Sequence, residues 1–367
     1  MFDRRFVQYF DWGLLGLAIL LGCIGIVTLF SVVNADTQTP EKMLYVKQLI
    51  WFGAGLVFMV FACLFNYKIM DRWAYTIYIT CCILLIAVLF FGKYVSGSKR
   101  WLMIGPLSVQ PSELIKIAVI IILAHYYSRH AYTRGFTLRE LIKPSILVLV
   151  PFLLIVRQPD LGTAFLVFLI ASSMTLFVKI EKRAFLSILG FCTVIFPLVW
   201  FFLKAYQKRR ILTFLNPDRD PLGAGYHIIQ SKIAIGSGMI TGKGYLKGTQ
   251  NSLSFLPEQH TDFIFSVFAE EWGFVGSLIL IVIFLILIIW ALNIAYGCRD
   301  PFGTILSVGV SAMIFWQVVV NIGMVMGLMP VVGIPLPFIS YGGSSIVTMM
   351  ISVGLLINVS MRRFILE

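Results

Sequence analysis

Residues 274–295 read FVGSLILIVIFLILIIWALNIA and contain no charged side chain. An α-helix needs about 20 predominantly apolar residues to cross the hydrocarbon core of a bilayer. This stretch therefore predicts a transmembrane helix. The apolar run around it covers 263–295, which is long enough for the helix to project from the membrane or to tilt.

The rest of the chain repeats this pattern. Of its 367 residues, 59% are apolar and only 13% are charged, whereas soluble domains carry about 25% charged residues. This composition excludes a soluble globular enzyme, and the continuous runs exclude the alternating strands of an outer-membrane barrel. The sequence predicts one all-α polytopic membrane domain over residues 1–367. Its ten predicted transmembrane helices lie at roughly 12–33, 46–66, 74–92, 112–128, 144–156, 161–178, 184–203, 263–295, 303–328 and 343–361.

The net charge of +12 is distributed in short clusters between the apolar runs. That distribution is the positive-inside signature, and it does not indicate a nucleic-acid partner. An even number of helices places both termini on one side, and the short segments of that side hold 14 Lys and Arg residues, against 6 in the short segments opposite. We therefore predict cytoplasmic termini and a large outward-facing loop between the seventh and eighth helices.

That loop, 204–262, is long for a connector, and long loops are usually functional or disordered. Tyr226, Ile229 and Ile233 recur in it at helical spacing, beside polar residues. This pattern indicates an amphipathic interfacial helix. We predict a partly helical cap over the outer mouth of the bundle, with a simple solvated loop as the alternative.

Charges within the apolar zone are expensive, and they are functional hypotheses by default. Glu113 and Lys116 lie in the first two turns of a helix that Pro111 can begin, and their spacing places them on one face. Two compatible interpretations follow: a structural ion pair that holds two helices together, or a pair that lines a polar cavity.

A second charged cluster lies in the short turn that contains Arg157 and Asp160. Arg157 can bind a phosphate group or pair with Asp160. A plain turn whose charged side chains reach toward water explains the same residues equally well.

A third cluster is LPEQHTDFIF, residues 256–265. Asp262 falls where the long loop enters the eighth helix. A partly desolvated carboxylate there would have a raised pKa, which suits a general base. The alternative is that Asp262 is the N-cap of the helix, since aspartate favours that position.

A fourth segment, 321–345, has three prolines and four glycines within 327–343 and no charge. It cannot form a regular helix, and irregular backbone at membrane depth must be buried in protein or line a wet cavity. We predict a shaped wall or re-entrant loop rather than a catalytic element.

Together these four clusters resemble the SEDS family (shape, elongation, division and sporulation proteins). Residues 321–345 match its signature, the stretch 256–265 with Glu270 and Glu271 matches a second motif, and QPSELIK at 110–116 matches a third. The resemblance covers nearly the whole chain. GKGYLKGTQ at 242–250 is similar to members of the elongation type.

The resemblance implies a peptidoglycan glycosyltransferase of the bacterial inner membrane. Such an enzyme polymerises lipid II into β-1,4 glycan strands at the outer face and releases undecaprenyl pyrophosphate during cell elongation. The implied partner is a class B penicillin-binding protein, a transpeptidase, within the rod-elongation complex. A lipid-linked precursor flippase and a non-catalytic scaffold for the transpeptidase are the alternatives.

The resemblance also implies a set of site residues. Asp262 matches the family's essential aspartate, as a base or as the ligand of a divalent cation such as Mg²⁺ or Mn²⁺. Glu113, Lys116, Arg157 and Asp160 match polar positions of a central cavity. Arg100 and Arg210 match basic positions that would complement the substrate's phosphates.

Overall fold

The computed structural model describes residues 9–35, 43–95, 98–104, 107–130, 135–202, 205–216, 223–252 and 259–363. Each of the ten predicted apolar runs is a helix in this structure. The helices in chain order are α1 (Trp12–Ala35), α2 (Leu44–Leu64), α3 (Tyr67–Arg72), α4 (Ala74–Phe91), α5 (Pro111–Arg129), α6 (Leu138–Arg157), α7 (Leu161–Phe177), α8 (Lys182–Phe202), α9 (Ala205–Leu215), α10 (Ala224–Ser237), α11 (Thr249–Ser252), α12 (Ile264–Gly297), α13 (Pro301–Val325) and α14 (Gly343–Arg362). Among the described residues, 6 helices are long and apolar enough to cross a membrane: α1, α2, α4, α12, α13 and α14.

The two last helices form the centre of the bundle. α14 packs against α2, and α13 packs against α12, α5 and α7. At Gly354, a Cβ atom would lie 2.7 Å from the carbonyl oxygen of Met59, so only glycine permits the observed contact between α14 and α2. Such small-residue contacts are typical of helices packed within membranes.

The bundle has two distinct ends. At the loop end, α12 begins, α13 finishes and α10 packs; Ser231 of α10 donates a 2.6 Å hydrogen bond to the carbonyl of Val325. At the opposite, termini end, Asp11 accepts hydrogen bonds from Trp290 (3.0 Å) and Ser360 (3.3 Å). This geometry places the start of α1 beside the ends of α12 and α14.

Two predicted boundaries were wrong. The fifth run was predicted at 144–156, but α6 starts earlier because Thr137 and Glu140 form a capping box there. The ninth run was predicted to reach 328, but α13 stops at Val325 and Gly327 takes a φ of 70° that ends the helix.

A small antiparallel sheet lies between α4 and α5 and was not predicted. Its strands are β1 (Lys93–Val95), β2 (Ser98–Ile104) and β3 (Leu107–Val109), in the order β1-β2-β3. β1 and β3 have three residues each, and β2, SKRWLMI, shows no alternation of polar and apolar residues, so the sequence carries almost no strand signal here. The sheet matters because β2 carries Arg100.

The predicted helix in the long loop exists as α10, but its buried face was predicted wrongly. Small and branched residues (Gly225, Ile228, Ser231 and Ala234) are buried, whereas Ile233 is 45% exposed. Ser231 lies 2.8 Å from Ser266 of α12, so this helix packs against protein. Close packing against neighbouring helices favours small residues over the large apolar ones that mark a lipid-facing stripe.

α12 is broken at Gly273, which has φ 65° and ψ −162°. Residues 239–244 of the long loop hydrogen-bond into the break. The bonds are Lys243 N to Glu270 O (3.0 Å), Gly244 N to Glu271 O (3.0 Å), Phe274 N to Met239 O (2.9 Å) and Val275 N to Ile240 O (3.1 Å). The length of the eighth apolar run therefore reflects two helical segments joined at a kink.

Replacing Gly273 with alanine should destabilise the protein by on the order of 3 kcal/mol, because this backbone conformation is nearly exclusive to glycine. The new Cβ would also collide with the backbone nitrogen of Gly242. Gly16→Ala is the matched control, since open space surrounds a Cβ at that helical position, and alanine favours a helix there by about 1 kcal/mol. Thermal unfolding in detergent measures both; equal midpoints would contradict the expectation.

Candidate active site

Asp262 lies in the turn 259–263, directly before α12. The N-cap of α12 is Phe263, whose side chain makes no capping hydrogen bond. The alternative that Asp262 is the N-cap is therefore wrong. Its side chain is half-buried at the loop end of the bundle.

The backbone of this turn is held by three consecutive carbonyl groups. The oxygens of residues 260, 261 and 262 each accept one hydrogen bond from the segment 321–341. The donors, in that order, are Tyr341 N (2.9 Å), Ser340 Oγ (2.6 Å) and Asn321 Nδ2 (3.0 Å). These bonds fix the main chain of Asp262 and leave its carboxylate uninvolved in them.

The segment 328–342 is an irregular wall, as predicted. Ile334, Leu336 and Ile339 are almost completely buried, and the segment has no regular secondary structure. It reaches deep beside α1, because a Cβ on Gly25 would lie 2.7 Å from the Phe338 carbonyl oxygen. Burial in protein supplies the partners that such a backbone needs within a membrane.

Gly333 is the point at which this wall meets the aspartate. It has a φ of 71°, and a Cβ there would lie 3.1 Å from Oδ2 of Asp262. Asn321 also donates a 2.6 Å hydrogen bond to the carbonyl of Ile334, the next residue. One amide side chain thus connects the aspartate turn to the wall.

Asp160 is the centre of a second polar group. It is 1% exposed and caps α7, accepting hydrogen bonds from the backbone nitrogen (3.3 Å) and Oγ1 (3.0 Å) of Thr163. Ser112 at the start of α5 donates a third, of 3.3 Å. Asp160 therefore joins the starts of α5 and α7 at the loop end.

The cation paired with Asp160 is Arg100. Its Nη1 lies 3.7 Å from Asp160 Oδ1, and its Nη2 donates a 2.8 Å hydrogen bond to the carbonyl of Pro159. The predicted alternative pair of Arg157 with Asp160 was wrong: Arg157 is exposed at the end of α6. The sheet places Arg100 in this position, and the sequence did not reveal that sheet.

Removing the Arg100 side chain should therefore cost more stability than removing that of Arg157. Arg100→Ala leaves the buried Asp160 carboxylate without this counter-charge, which should cost about 1–3 kcal/mol. Arg157→Ala alters an exposed side chain and should change stability by less than about 0.5 kcal/mol. Thermal midpoints of the two purified variants test the order, and a larger loss for Arg157→Ala would overturn this assignment.

Glu113 and Lys116 form a buried ion pair at the start of α5. Lys116 Nζ lies 2.9 Å from both oxygens of Glu113, and the two residues are 0% and 3% exposed. The pair lies within one helix, so the ion pair itself does not join two helices. Since both residues are buried, a role at a polar cavity requires the bundle to open there.

The four sequence clusters converge at the loop end. A Cβ on Gly162 would collide with the carbonyl of Val332, so the start of α7 lies against the same wall as Asp262. The start of α7, which Asp160 caps, and the carboxylate of Asp262 thus both approach the stretch 332–333. Arg210 lies on α9, which contacts α10, and its role toward phosphate stays a prediction.

The described side chains also test whether the protein alone could form a complete metal site. Within that part of the chain, no group of three or more His, Cys, Asp or Glu side chains converges as a metal-binding cluster. Asp262 still fits a cation that takes other ligands from a phosphate, because magnesium is commonly held by one or two carboxylates plus substrate phosphates.

The fold and the site define a multi-pass helical membrane protein with a fixed carboxylate at one end of its bundle. The family model FTSW_RODA_SPOVE, described as "Cell cycle protein", matches residues 9–364. The chain belongs to this family.

Similar proteins agree with that membership. The chain is 44% identical to "Peptidoglycan glycosyltransferase MrdB" of Escherichia coli over 318 residues, covering 85% of this chain and 84% of the relative. It is 36% identical to "Peptidoglycan glycosyltransferase RodA" of Treponema pallidum, covering 98% and 99%.

Solved structures show the same fold. A chain from "Structural coordination of polymerization and crosslinking by a peptidoglycan synthase complex" superposes with a TM-score of 0.82 at 31% identity, covering 97% of this chain and 99% of that one. The rod shape determining protein RodA of Thermus thermophilus gives a TM-score of 0.71 at 27% identity, covering 97% and 98%.

Proposed function

We propose that this chain is a peptidoglycan glycosyltransferase that polymerises lipid II into β-1,4 glycan strands during cell elongation. Family membership and 44% identity to a protein of that name support the activity. The observation that carries the assignment of the site is the position of Asp262: three hydrogen bonds to the carbonyl groups of residues 260–262 fix its turn against the wall, and its carboxylate lies half-buried beside Gly333.

The proposed topology has ten transmembrane helices in the bacterial inner membrane with both termini in the cytoplasm. The loop end then faces outward, and residues 204–262 form the large loop between the seventh and eighth spans. The distribution of Lys and Arg supports this orientation. It places Asp262 at the outer face, where the sugar and pyrophosphate groups of lipid II are exposed to the aqueous side.

The proposed reaction is an in-line inversion at the anomeric carbon of an α-linked sugar. The acceptor hydroxyl forms the new β-glycosidic bond as the bond to pyrophosphate breaks, and Asp262 takes the hydroxyl proton. Undecaprenyl pyrophosphate leaves with its negative charge. Arg100 and Arg210 are the proposed phosphate contacts, whereas the buried Lys116 can contribute only if the bundle opens.

A divalent cation is the second proposed role for Asp262. The carboxylate would hold Mg²⁺ or Mn²⁺ while the pyrophosphate of the substrate supplies further ligands. In that case the metal would stabilise the negative charge of the leaving pyrophosphate, and Asp262 would hold the metal in position. Both roles place the carboxylate at the reaction, so both depend on its fixed backbone.

The proposed partner is a class B penicillin-binding protein within the rod-elongation complex. A structurally similar chain comes from a study of a peptidoglycan synthase complex that coordinates polymerisation and crosslinking. A membrane-embedded polymerase releases its strand where a transpeptidase must act on it, so direct association suits the sequence of the two reactions.

Polymerisation of lipid II by the purified protein, alone and with its cognate transpeptidase, tests the proposal. The enzyme should produce glycan strands in detergent or in liposomes. A parallel liposome assay measures transfer of labelled lipid II between leaflets. Transfer without strand synthesis would favour a flippase, and neither activity in the folded complex would favour a scaffold.

A further inference from the structure

Glu270 carries a buried carboxylate that the reaction described above does not use. The residue is 0% exposed, and its Oε1 atom accepts from the residues of the long loop that precede Asp262. The donors are Lys243 Nζ (2.6 Å), Thr249 N (2.9 Å), Thr249 Oγ1 (3.1 Å), Gln250 N (3.1 Å) and Ser237 Oγ (3.5 Å). The other oxygen, Oε2, is buried without a hydrogen-bond partner.

Lys243 balances the charge of this carboxylate: its Nζ atom lies 2.6 Å from Oε1 of Glu270. A buried charge that loses its partner is strongly unfavourable. Glu270 and Lys243 therefore hold each other in place. Two of the four backbone hydrogen bonds at the Gly273 break join residues 243 and 244 to the first half of α12, and the other two join residues 239 and 240 to its second half. With the ion pair, they fasten the loop across the break.

The first half of α12, Ile264–Trp272, requires contacts outside the helix to fix its angle relative to the second half. The break at Gly273 interrupts the helical hydrogen bonds that would otherwise align it with the rest of α12. Asp262 lies at its far end, about 16 Å from Gly273 at a rise of 1.5 Å per residue. A tilt of about 4° at the break would therefore move Asp262 by about 1 Å.

We infer that Glu270 is a positioning residue: its anchor to Lys243, Thr249 and Gln250 sets the angle of the half-helix that presents Asp262 to the substrate. The inference rests on the proposed glycosyltransferase function. A displacement of 1 Å at a catalytic group can cost about 100-fold in rate. Because the carbonyl bonds at 260–262 hold the other end of the half-helix, the expected loss is smaller, about 10-fold.

Two substitutions break the anchor from opposite sides. Glu270→Gln keeps the volume and the oxygen but removes the charge, and Lys243→Met removes the cation. Each should lower kcat about 10-fold while KM for lipid II changes by less than about 2-fold. Lys243→Arg keeps a cation near Oε1 and should retain activity within about 3-fold of wild type.

The double variant distinguishes one shared anchor from two separate effects. If Glu270 and Lys243 act through the same contact, Glu270→Gln with Lys243→Met should be no slower than the slower single variant. Lys247→Met is the matched control, because Lys247 is an exposed lysine of the same loop. It should polymerise at the wild-type rate.

Hydrogen exchange gives a readout that does not depend on activity. Glu270→Gln should speed exchange of the Thr249 and Gln250 amides, which donate to the carboxylate, while the thermal midpoint stays within about 3 °C of wild type. The half-helix keeps its packing of Val267 against Val32 and Ala234, so the variants should fold. Lys243→Met changes a partly exposed side chain and remains interpretable if Glu270→Gln does not fold.

Wild-type and Asp262→Asn proteins are assayed beside these variants. If wild type makes no strands, the proposed function fails and the anchor is not at issue. If wild type is active but Glu270→Gln and Lys243→Met keep full kcat, the positioning role is overturned. A loss of activity that only matches a loss of folded protein, or additive losses in the double variant, would also overturn it.

Discussion

Asp262→Asn should lower the rate of lipid II polymerisation by about 100-fold or more, because removing a general base typically costs 100- to 10,000-fold. Asparagine has the same shape as aspartate but neither accepts a proton at neutral pH nor holds a cation comparably. The bonds that fix this turn involve the carbonyl oxygens of residues 260–262. The substitution should therefore leave the backbone in place.

The measurement is kcat from strand synthesis, made beside the thermal midpoint of each protein. Asp300→Asn is the matched control: Asp300 caps α13 at the termini end by accepting from the Gly303 amide at 2.9 Å. Asparagine caps helices as well as aspartate does, so this variant should keep both stability and activity. Near-normal polymerisation by Asp262→Asn would contradict the base and the cation role alike.

Metal dependence separates the two roles. If Asp262 holds a divalent cation, chelation should abolish wild-type activity, and Mg²⁺ or Mn²⁺ should restore it. If Asp262 acts only as the base, wild type should keep most of its rate after chelation. The Asp262→Asn protein should stay inactive in both cases, because asparagine supplies neither a proton acceptor nor a carboxylate ligand for the metal.

The helices could be predicted because each must satisfy its backbone within about 20 apolar residues, and that requirement is local. The role of the wall at 328–342 was predictable for the same reason, since its prolines and glycines exclude a regular helix. Asp262 could be singled out from its place at a loop-to-helix boundary. The observed N-cap, Phe263, is one residue later than the alternative at Asp262. Sequence patterns cannot locate a helix start to within one residue.

The pairings that hold the site could not be predicted, because they join residues far apart in the chain. Arg100 reaches Asp160 from strand β2, whose sequence SKRWLMI has no polar–apolar alternation by which a strand could be recognised. Glu270 was visible as a charged residue in a motif, but its partners in the loop before it were not. The buried face of α10 was missed because the expected partner was lipid, whereas the helix packs against protein.

Lys116→Met should destabilise the protein by about 3–5 kcal/mol, the usual cost of breaking a buried ion pair from one side. Lys116 is completely buried, and both oxygens of Glu113 lie 2.9 Å from its nitrogen. Methionine fills much of the same space but leaves the Glu113 carboxylate charged and unpaired. Lys93→Met, at an exposed lysine of β1, is the control and should change stability by less than about 0.5 kcal/mol.

The double variant Glu113→Gln with Lys116→Met separates stability from function. Replacing both members of a buried pair with neutral residues of similar volume is often neutral or stabilising, so most of the lost stability should return. Polymerisation should not return if this pair serves the substrate cavity when the bundle opens, as the family resemblance implies. Wild-type kcat in a stable double variant would show that the pair contributes only to stability. The phosphate contacts would then have to come from other cations, of which Arg100, beside Asp160, is one.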